Sequence, residues 1–569
     1  MGLLIIPKFM EKSCAQCQKV FKISEADKLM LKNLSPVIGD KKIDIPTPNM
    51  CPYCRSQRRM AHINQLNLYK RTCDLSGENI LSNIHPNAPY KVYKQEIWHS
   101  DKWNALEYGM DFDFNRPFFE QFKELLLKVP LPNLFTGYEF DENAEYTNYA
   151  GKNKNCYLIF DSDENRDCYY SYGINKCINC IDCFRVNKSE LLYQCVDVVN
   201  CYSSSFLQNC DNCNDSIFLK NCTGCRNCIM CSNLRNKEYH FQNKPVSKEE
   251  YENIKNRLSS YETLLKAKNH FEKFKLNYPQ KYMYGTRNEN VFGDYLFNCK
   301  DAYFCFDSAH IWDGRYVEQG FMSLKNCMDV HECGEAERLY ECLDNVYAQY
   351  NAYFCNHNIG PNRDIYYCAF CPHTSDSFGC IGLNRKRHCI LNKEYSPEEY
   401  ETLVLKIISH MQKTGEWGEF FPVELSIYAY NETLANHYYP LKREAVLKGG
   451  WQWSDELDKD SEEFTGEETV IPDELSHVDD DICKKVLVCQ KSGRRYKIIP
   501  QELGFYRKMG LPLPRESFFQ RHKDRLAMRN PRKLYKRKCA KCGIDIMTTF
   551  SPDKPEIVYC EKDYLESIN

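Results

Sequence analysis

Four cysteines near the start of the chain, Cys14-Ala-Gln-Cys17 and Cys51-Pro-Tyr-Cys54, have the spacing of a metal site. Zinc takes four tetrahedral nitrogen or sulfur ligands, and each Cys-x2-Cys turn presents two thiolates to one ion. The 33 residues between the two turns exceed what a minimal ribbon needs and predict a small inserted structure. Near the other end, Cys539-Ala-Lys-Cys542 and Cys560 supply three ligands of a second site, whose fourth position is Asp563 as an oxygen donor or else a water or a distant His. Zn2+ is therefore the expected cofactor at both ends.

A second chemistry lies beside these cysteines. Residues 515–541 hold eleven Lys or Arg against Glu516 and Asp524. Clustered cations on a metal-rigidified scaffold suit a phosphate backbone, because each neutralised phosphate releases counterions. Arg55, Arg58, Arg59, Arg521, Arg525, Arg529, Arg532, Lys536 and Arg537 are the candidate nucleic-acid contacts, with RNA or a ribonucleoprotein as the expected partner. The competing reading pairs these bases with the acidic stretch just upstream, where residues 454–481 carry thirteen acidic side chains against the single Lys459.

The central region is dense in cysteine with a twelve-residue beat: Cys156, Cys168, Cys180, then Cys201, Cys213 and Cys225, with Cys177, Cys210 and Cys222 at the tenth position of their units. Short rungs of this kind predict a parallel β-solenoid with small cysteines stacked inward; a series of short hairpins is the alternative. Cys222-x2-Cys225-x2-Cys228-x2-Cys231 resembles an iron–sulfur run but lacks the closing x3-Cys-Pro spacing, so buried thiols are favoured over a cluster. No phosphate loop, nucleophile elbow or His-Glu-x-x-His helix occurs. His310/Asp313, His331/Glu332 and His357 near Asp364 could pair as acid and base, but they assign no reaction and no catalytic residue.

These residues sit in a duplicated chain. Residues 46–93 align with 512–559 without a gap, and 17 of the 48 positions are identical, including Leu68-Tyr69-Lys70-Arg71 against Leu534-Tyr535-Lys536-Arg537. Upstream, after a shift of nine residues, Cys14 falls on Cys489. The first metal site is dismantled in the C-terminal copy, where Ser492, Ser517 and Gln520 replace three ligands. The second is dismantled in the N-terminal copy, leaving Cys73 with Ser76, Lys94 and Ile97. Between the ends, 231–252 matches 380–401 at ten of 22 positions and 154–162 matches 300–308 at five of nine, a tandem pair. Each copy closes on a capping-box signature, Ser247 with Glu250 and Ser396 with Glu399. Apolar spacing at Tyr251, Ile254, Leu258, Tyr261 and Leu265 predicts one helical face.

The resulting organisation is a multidomain, mixed α and β protein. Its expected units are an N-terminal zinc-ribbon module (1–100), a helical connector (101–141), a central copy with capping helix (142–275), a second copy with capping helix and the aromatic segment Gly415–Pro422 (285–450), a solvated acidic linker (454–481) and a C-terminal zinc-ribbon module (482–569). A chain of 569 residues supports several cores, and a net charge of −3 places any charge-driven binding on local patches. No apolar run approaches the ~18 residues that span a bilayer, the opening MGLLIIPKFM is a poor targeting segment, and Ile6 does not suit myristoylation. An odd cysteine count, 33, in a large chain fits metal ligands and buried thiols in a reducing cytoplasm better than a secreted disulfide framework.

The segments CPYCRSQRR, LYKRTCDLSGENI, GEWGEFFP with YNETLANHYYPL, and AMRNPRKLYKRKC resemble a group of uncharacterised bacterial Cys-rich zinc-ribbon proteins, some filed under a CoA-transferase family name. The resemblance covers nearly the whole chain and implies a recurring architecture without an established activity. Ser517, Gln520 and Asp563 depart from it where further cysteines are usual. The expected function is a zinc-stabilised binding protein contacting nucleic acid through its basic ends. The alternative is a protein- or glycan-binding scaffold without nucleic acid, and a metal or redox enzyme ranks third.

Overall fold

The computed structural model describes residues 9–333, 336–337, 340–343, 349–350, 353, 360–459 and 469–568. His357 and the acidic stretch 460–468 lie outside the described residues. It is a mixed α/β structure built from helices and many small sheets.

The centre is made of parallel strands paired at a twelve-residue step. Ile178 pairs with Glu190 and Glu190 with Tyr202, while Ser205, Ile217, Ile229 and Phe241 succeed one another across four strands. In the second half the step varies: Lys300 meets Trp312, Ile311 meets Leu324, and Ser375 meets Arg387. Both halves end on a short antiparallel turn, Glu238–Phe241 with Lys244–Pro245 and Arg387–Ile390 with Lys393–Glu394.

The twelve-residue step resolves into triplets. Every third residue from Tyr149 to Gln242 has positive φ, Gly173 and Gly224 among them. The left-handed region is unfavourable for most side chains, and Asn and Asp tolerate it best. Asn155, Asp167, Asn179, Asn200, Asn209, Asn212 and Asn221 hold such corners. The residue after each corner points inward, so Cys156, Ile159, Ser162, Cys168, Cys177, Cys180 and Cys183 line one core and are all nearly solvent-free. Cysteine shares these inward positions with Ile, Val, Leu, Ser and Asn, and it is the commonest residue in this core. Their thiols donate to the carbonyl two residues earlier, as in Cys180 Sγ to Ile178 O at 3.5 Å. Ser162 forms a stronger version, Oγ to Phe160 O at 2.7 Å, while Asn165 Nδ2 at an equivalent position donates across the twelve-residue step to Asn153 Oδ1 at 3.0 Å.

The two ends share one build. In the N-terminal module a hairpin, Phe9–Ser13 with Val20–Ser24, carries the first cysteine turn, and the helix Pro52–Met60 follows the second. The hairpins Tyr69–Thr72/Asn79–Ser82 and Tyr535–Lys538/Asp545–Thr548 have the same register, Tyr69 opposite Ser82 and Tyr535 opposite Thr548. The helix Phe518–Ala527 occupies the place of Pro52–Met60.

Two local expectations are corrected. The face from Tyr251 to Leu265 is broken into two helices, Lys248–Arg257 and Tyr261–Phe274, because Ser260 caps a fresh N-terminus and Leu265 stays exposed. Ser396 forms the full capping box with Glu399, whereas Ser247 makes only its half. The acidic stretch is anchored on both sides of residues 460–468: Asp455 pairs with Arg443 at 2.9 Å, Glu456 with His85 at 2.6 Å, and Asp473 accepts from Ser260 Oγ at 2.6 Å and Glu262 N at 2.9 Å.

Candidate metal centres, internal clamps and cleft

Cys14, Cys17, Cys51 and Cys54 converge with their ligand atoms within 4.8 Å of one another, as do Cys539, Cys542, Cys560 and Asp563. Local chain geometry explains both. Cys51 is the N-cap of Pro52–Met60 and Cys54 sits at its third position; Cys560 precedes the helix Glu561–Ile568 and Asp563 takes the third position there. The N-terminus of a helix favours negative ligands through its free amides and dipole. Asp563 therefore does the work of Cys54 from the same place.

The spacing fits a tetrahedral ion. Metal–sulfur bonds of about 2.3 Å put tetrahedral sulfurs about 3.8 Å apart, and Cys17 Sγ to Cys51 Sγ is 3.9 Å while Cys542 Sγ to Cys560 Sγ is 3.8 Å. Backbone amides orient the ligands: Cys51 N donates to Cys14 Sγ at 3.3 Å, and Cys560 N to Cys539 Sγ at 3.2 Å. Cys539 and Cys560 thiols donate to Asp563 Oδ2 at 3.0 and 3.2 Å, and the first of these holds its carboxyl down to about 2. A hydrogen bond from the Cys54 thiol lowers Cys51 to about 5. The degenerate positions keep only the amide pattern, with Ser76 N and Lys94 N on Cys73 Sγ. Among the described residues, Cys222, Cys225, Cys228 and Cys231 form no such group; they are buried in the triplet core.

The arginines expected to face nucleic acid are inside the protein. Arg55, Arg58, Arg59, Arg521 and Arg525 are buried, and the side chains of Arg529 and Arg532 are only 6% and 5% exposed. Arg55 Nε reaches Asp329 Oδ2 at 2.7 Å and Arg59 reaches Asp329 Oδ1 at 3.3 Å. Their counterparts repeat this on the other half, Arg521 Nε to Asp182 Oδ2 at 2.7 Å and Arg525 to Asp182 Oδ1 at 2.9 Å. Asp182 and Asp329 both follow Cys-x and both occupy a left-handed corner. These two aspartate clamps are thus crossed, the N-terminal module's on the second central half and the C-terminal module's on the first, while Arg529 and Arg532 also tie the C-terminal module to the second half. Arg58 adds Glu341 at 2.8 Å, Arg532 adds Asp307 at 2.7 Å and Glu318 at 3.3 Å, and Arg529 joins Asp197 at 3.0 Å and Asp307.

Arg537 is spent on the carbonyls of Ser551 and Glu556, and Lys536 alone of the nine is exposed, pairing with Asp545 at 3.0 Å. Among the described residues, the alternative partner, the acidic stretch, supplies peripheral pairs such as Arg507 with Asp480 at 2.6 Å. His331 and Glu332 lie 3.6 Å apart in the interior, where Glu332 also accepts from Gln65 and Gln319. His310 bonds Asn298 at the surface.

What clustering in the sequence did not reveal is a cleft of about 1540 Å³ where both end modules meet the second central half. Tyr53, Tyr303, Phe304, Tyr316, Tyr535 and Trp451 line it, with Lys19, Lys448 and Lys533 among them, and the Cys17, Cys51, Cys54 edge of the first metal site opens onto it. Tyr53 is half exposed and meets Tyr439 edge to face at 4.5 Å; Lys533 lies 4.9 Å from the Tyr535 ring centre. No described helix is long and apolar enough to cross a membrane. No protein-family model matches this chain, and no curated protein matches it.

Proposed function

We propose that the protein is a zinc-stabilised binding protein whose two central halves are β-solenoids and whose cleft seats a single-stranded nucleic acid, RNA being the natural candidate. Four-ligand sets at tetrahedral spacing support zinc as the staple of each end, and the free described cysteines fit a reducing cytoplasm. The observation that carries the binding role is the aromatic cleft with its interspersed lysines. Bases stack on aromatic rings for roughly 1–3 kcal/mol each, while lysines neutralise the backbone. The role once suited to the arginines passes to Tyr53, Tyr535, Lys19 and Lys533.

A labelled oligo-uridine tested by fluorescence anisotropy between 50 and 200 mM salt, with a duplex of equal length beside it, decides the matter. Saturable, salt-sensitive binding that Tyr53→Ala and Lys533→Ala weaken at least fivefold is the expected result. Absence of saturable binding at low salt overturns it. The glycan or protein scaffold reading has one observation of its own, the consumption of seven arginines in internal pairs, and salt-independent capture of an uncharged glycan would favour it.

A further inference from the structure

A second cavity, of about 480 Å³, lies where the first central half meets the helix Tyr261–Phe274 and the C-terminal module. Its wall includes Lys220, which is 8% exposed. Lys220 pairs in the ladder with Gln208 and Ser232, on the outer side of the stack, and the cavity's other walls cover it. Among the described residues no hydrogen bond or ion pair reaches its ammonium; its nearest recorded contact is the Tyr284 ring, centred 5.9 Å away. Asp197 and Glu272 act on this ammonium only through the field, and a buried ammonium without a direct ion pair is costly. Burial, and then Lys275, push Lys220 down to about 7.

The other charged groups around the cavity are mostly paired. Glu272 holds Lys275 at 2.6 Å, Asp524 holds Lys491 at 2.5 Å, Lys554 donates to Asn530 at 2.7 Å, and Asp294 accepts from Thr549 at 2.6 Å. Arg525 and Arg529 are held by Asp182, Asp197 and Asp307. Lys268, like Lys220, has no recorded partner. Opposite in sign, Glu556 Oε2 is buried with no hydrogen-bond partner. The cavity thus presents two unmatched ammonium groups and one unmatched carboxylate oxygen.

From this arrangement we infer a binding site for a small organic acid that also carries an amino or hydroxyl donor, its acidic group on Lys220 and Lys268 and its donor on Glu556. The site is separate from the aromatic cleft and stands whether or not that cleft binds nucleic acid. A carboxylate and a phosphate would satisfy the lysines equally, so both belong in the test.

Titration calorimetry on the zinc-loaded full chain, with L-alanine, lactate, propionate, glycerol 3-phosphate and inorganic phosphate, reads the site. Lactamide and propionamide serve as uncharged controls. The expected result is that at least one acid binds tenfold or more tighter than its amide. Lys220→Met should abolish that binding, and Glu556→Gln should erase the preference of alanine or lactate over propionate. Tighter binding of glycerol 3-phosphate than of any carboxylate would assign the acidic group as phosphate. Equal affinity of acids and amides overturns the proposal, as does a folded Lys220→Met that binds within twofold of wild type. Should Lys220→Met not fold, the acid-to-amide comparison on the unmodified protein still decides.

Discussion

Replacing Asp182 by Asn tests the crossed clamp most directly. The carboxylate is fully buried, and it receives Arg521 at 2.7 Å and Arg525 at 2.9 Å, both themselves buried. The amide keeps the shape and removes the charge, leaving two guanidinium groups in an interior with no anion between them apart from Glu502, 3.6 Å from Arg521. Breaking a buried pair on one side costs about 3–5 kcal/mol. That energy holds the C-terminal module to the first central half, so it should appear locally. Hydrogen exchange in Phe518–Ala527 and in the hairpin Tyr535–Lys538/Asp545–Thr548 should accelerate by roughly two to four orders of magnitude. Asp329→Asn should do the same to Pro52–Met60 while leaving Phe518–Ala527 unchanged. Asp182→Leu combined with Arg521→Met and Arg525→Met should recover most of the loss, since a well-packed apolar replacement of a buried ion pair is often neutral. If Asp182→Asn changes exchange in the C-terminal module by less than threefold, or if each mutation loosens both ends equally, the clamp reasoning is wrong.

Elemental analysis of the purified protein should find two zinc ions per chain. Cys51→Ser should remove one, and Asp563→Cys should make the second harder to strip with a chelator than in wild type. After chelation of the native protein, exposed Cys542 should react promptly with a thiol reagent while Cys180, Cys195 and Cys222 stay protected until the chain unfolds. Burial raises Glu502 to about 7, so between the ordinary carboxylate range and pH 7 the folded state holds a proton the unfolded state has lost. Stability from this group is then complete below about pH 4 and falls by about 3 kcal/mol as pH rises through 7; urea titrations at pH 5 and 7.5 should show that slope, and Glu502→Gln should flatten it.

Much of the metal chemistry was legible because Cys-x2-Cys spacing is local, and Asp563 was recoverable from its alignment with the lost ligand of the other copy. The duplication of the ends showed in the shared Tyr69/Tyr535 run, which the structure places in hairpins of one register. The destination of the arginines was not legible. A guanidinium cluster reads the same whether it meets phosphate or a buried aspartate, and the partners are distant in sequence, 274 residues from Arg55 to Asp329 and 339 from Arg521 to Asp182. One signal was present. Arg55 and Arg59 lie four apart on a helix and persist as Arg521 and Arg525, while Tyr53 and the metal ligands beside them change. A pair kept at helical spacing after the neighbouring candidate metal ligands have gone points to a shared structural contact rather than to a ligand of the metal module. The triplet corners were likewise hidden, since Tyr, Leu, Phe and Arg occupy many of them despite the strain.

The crossed attachment also sets an order of events during synthesis. At ~5–20 residues per second, the ribosome needs about 14–55 s to add the 274 residues that separate Arg55 from Asp329. Throughout that interval Arg55 and Arg59 lack the aspartate that pairs them, although Gln65 of the same module can meet Tyr172 once the first half is made. The first central half waits longer still, because Asp182 is neutralised only when Arg521 and Arg525 arrive. Every C-terminally truncated product that stops before residue 521 therefore leaves a buried carboxylate exposed or uncompensated. The segment that carries Arg521 and Arg525 therefore closes a half whose Asp182 was made 339 residues earlier.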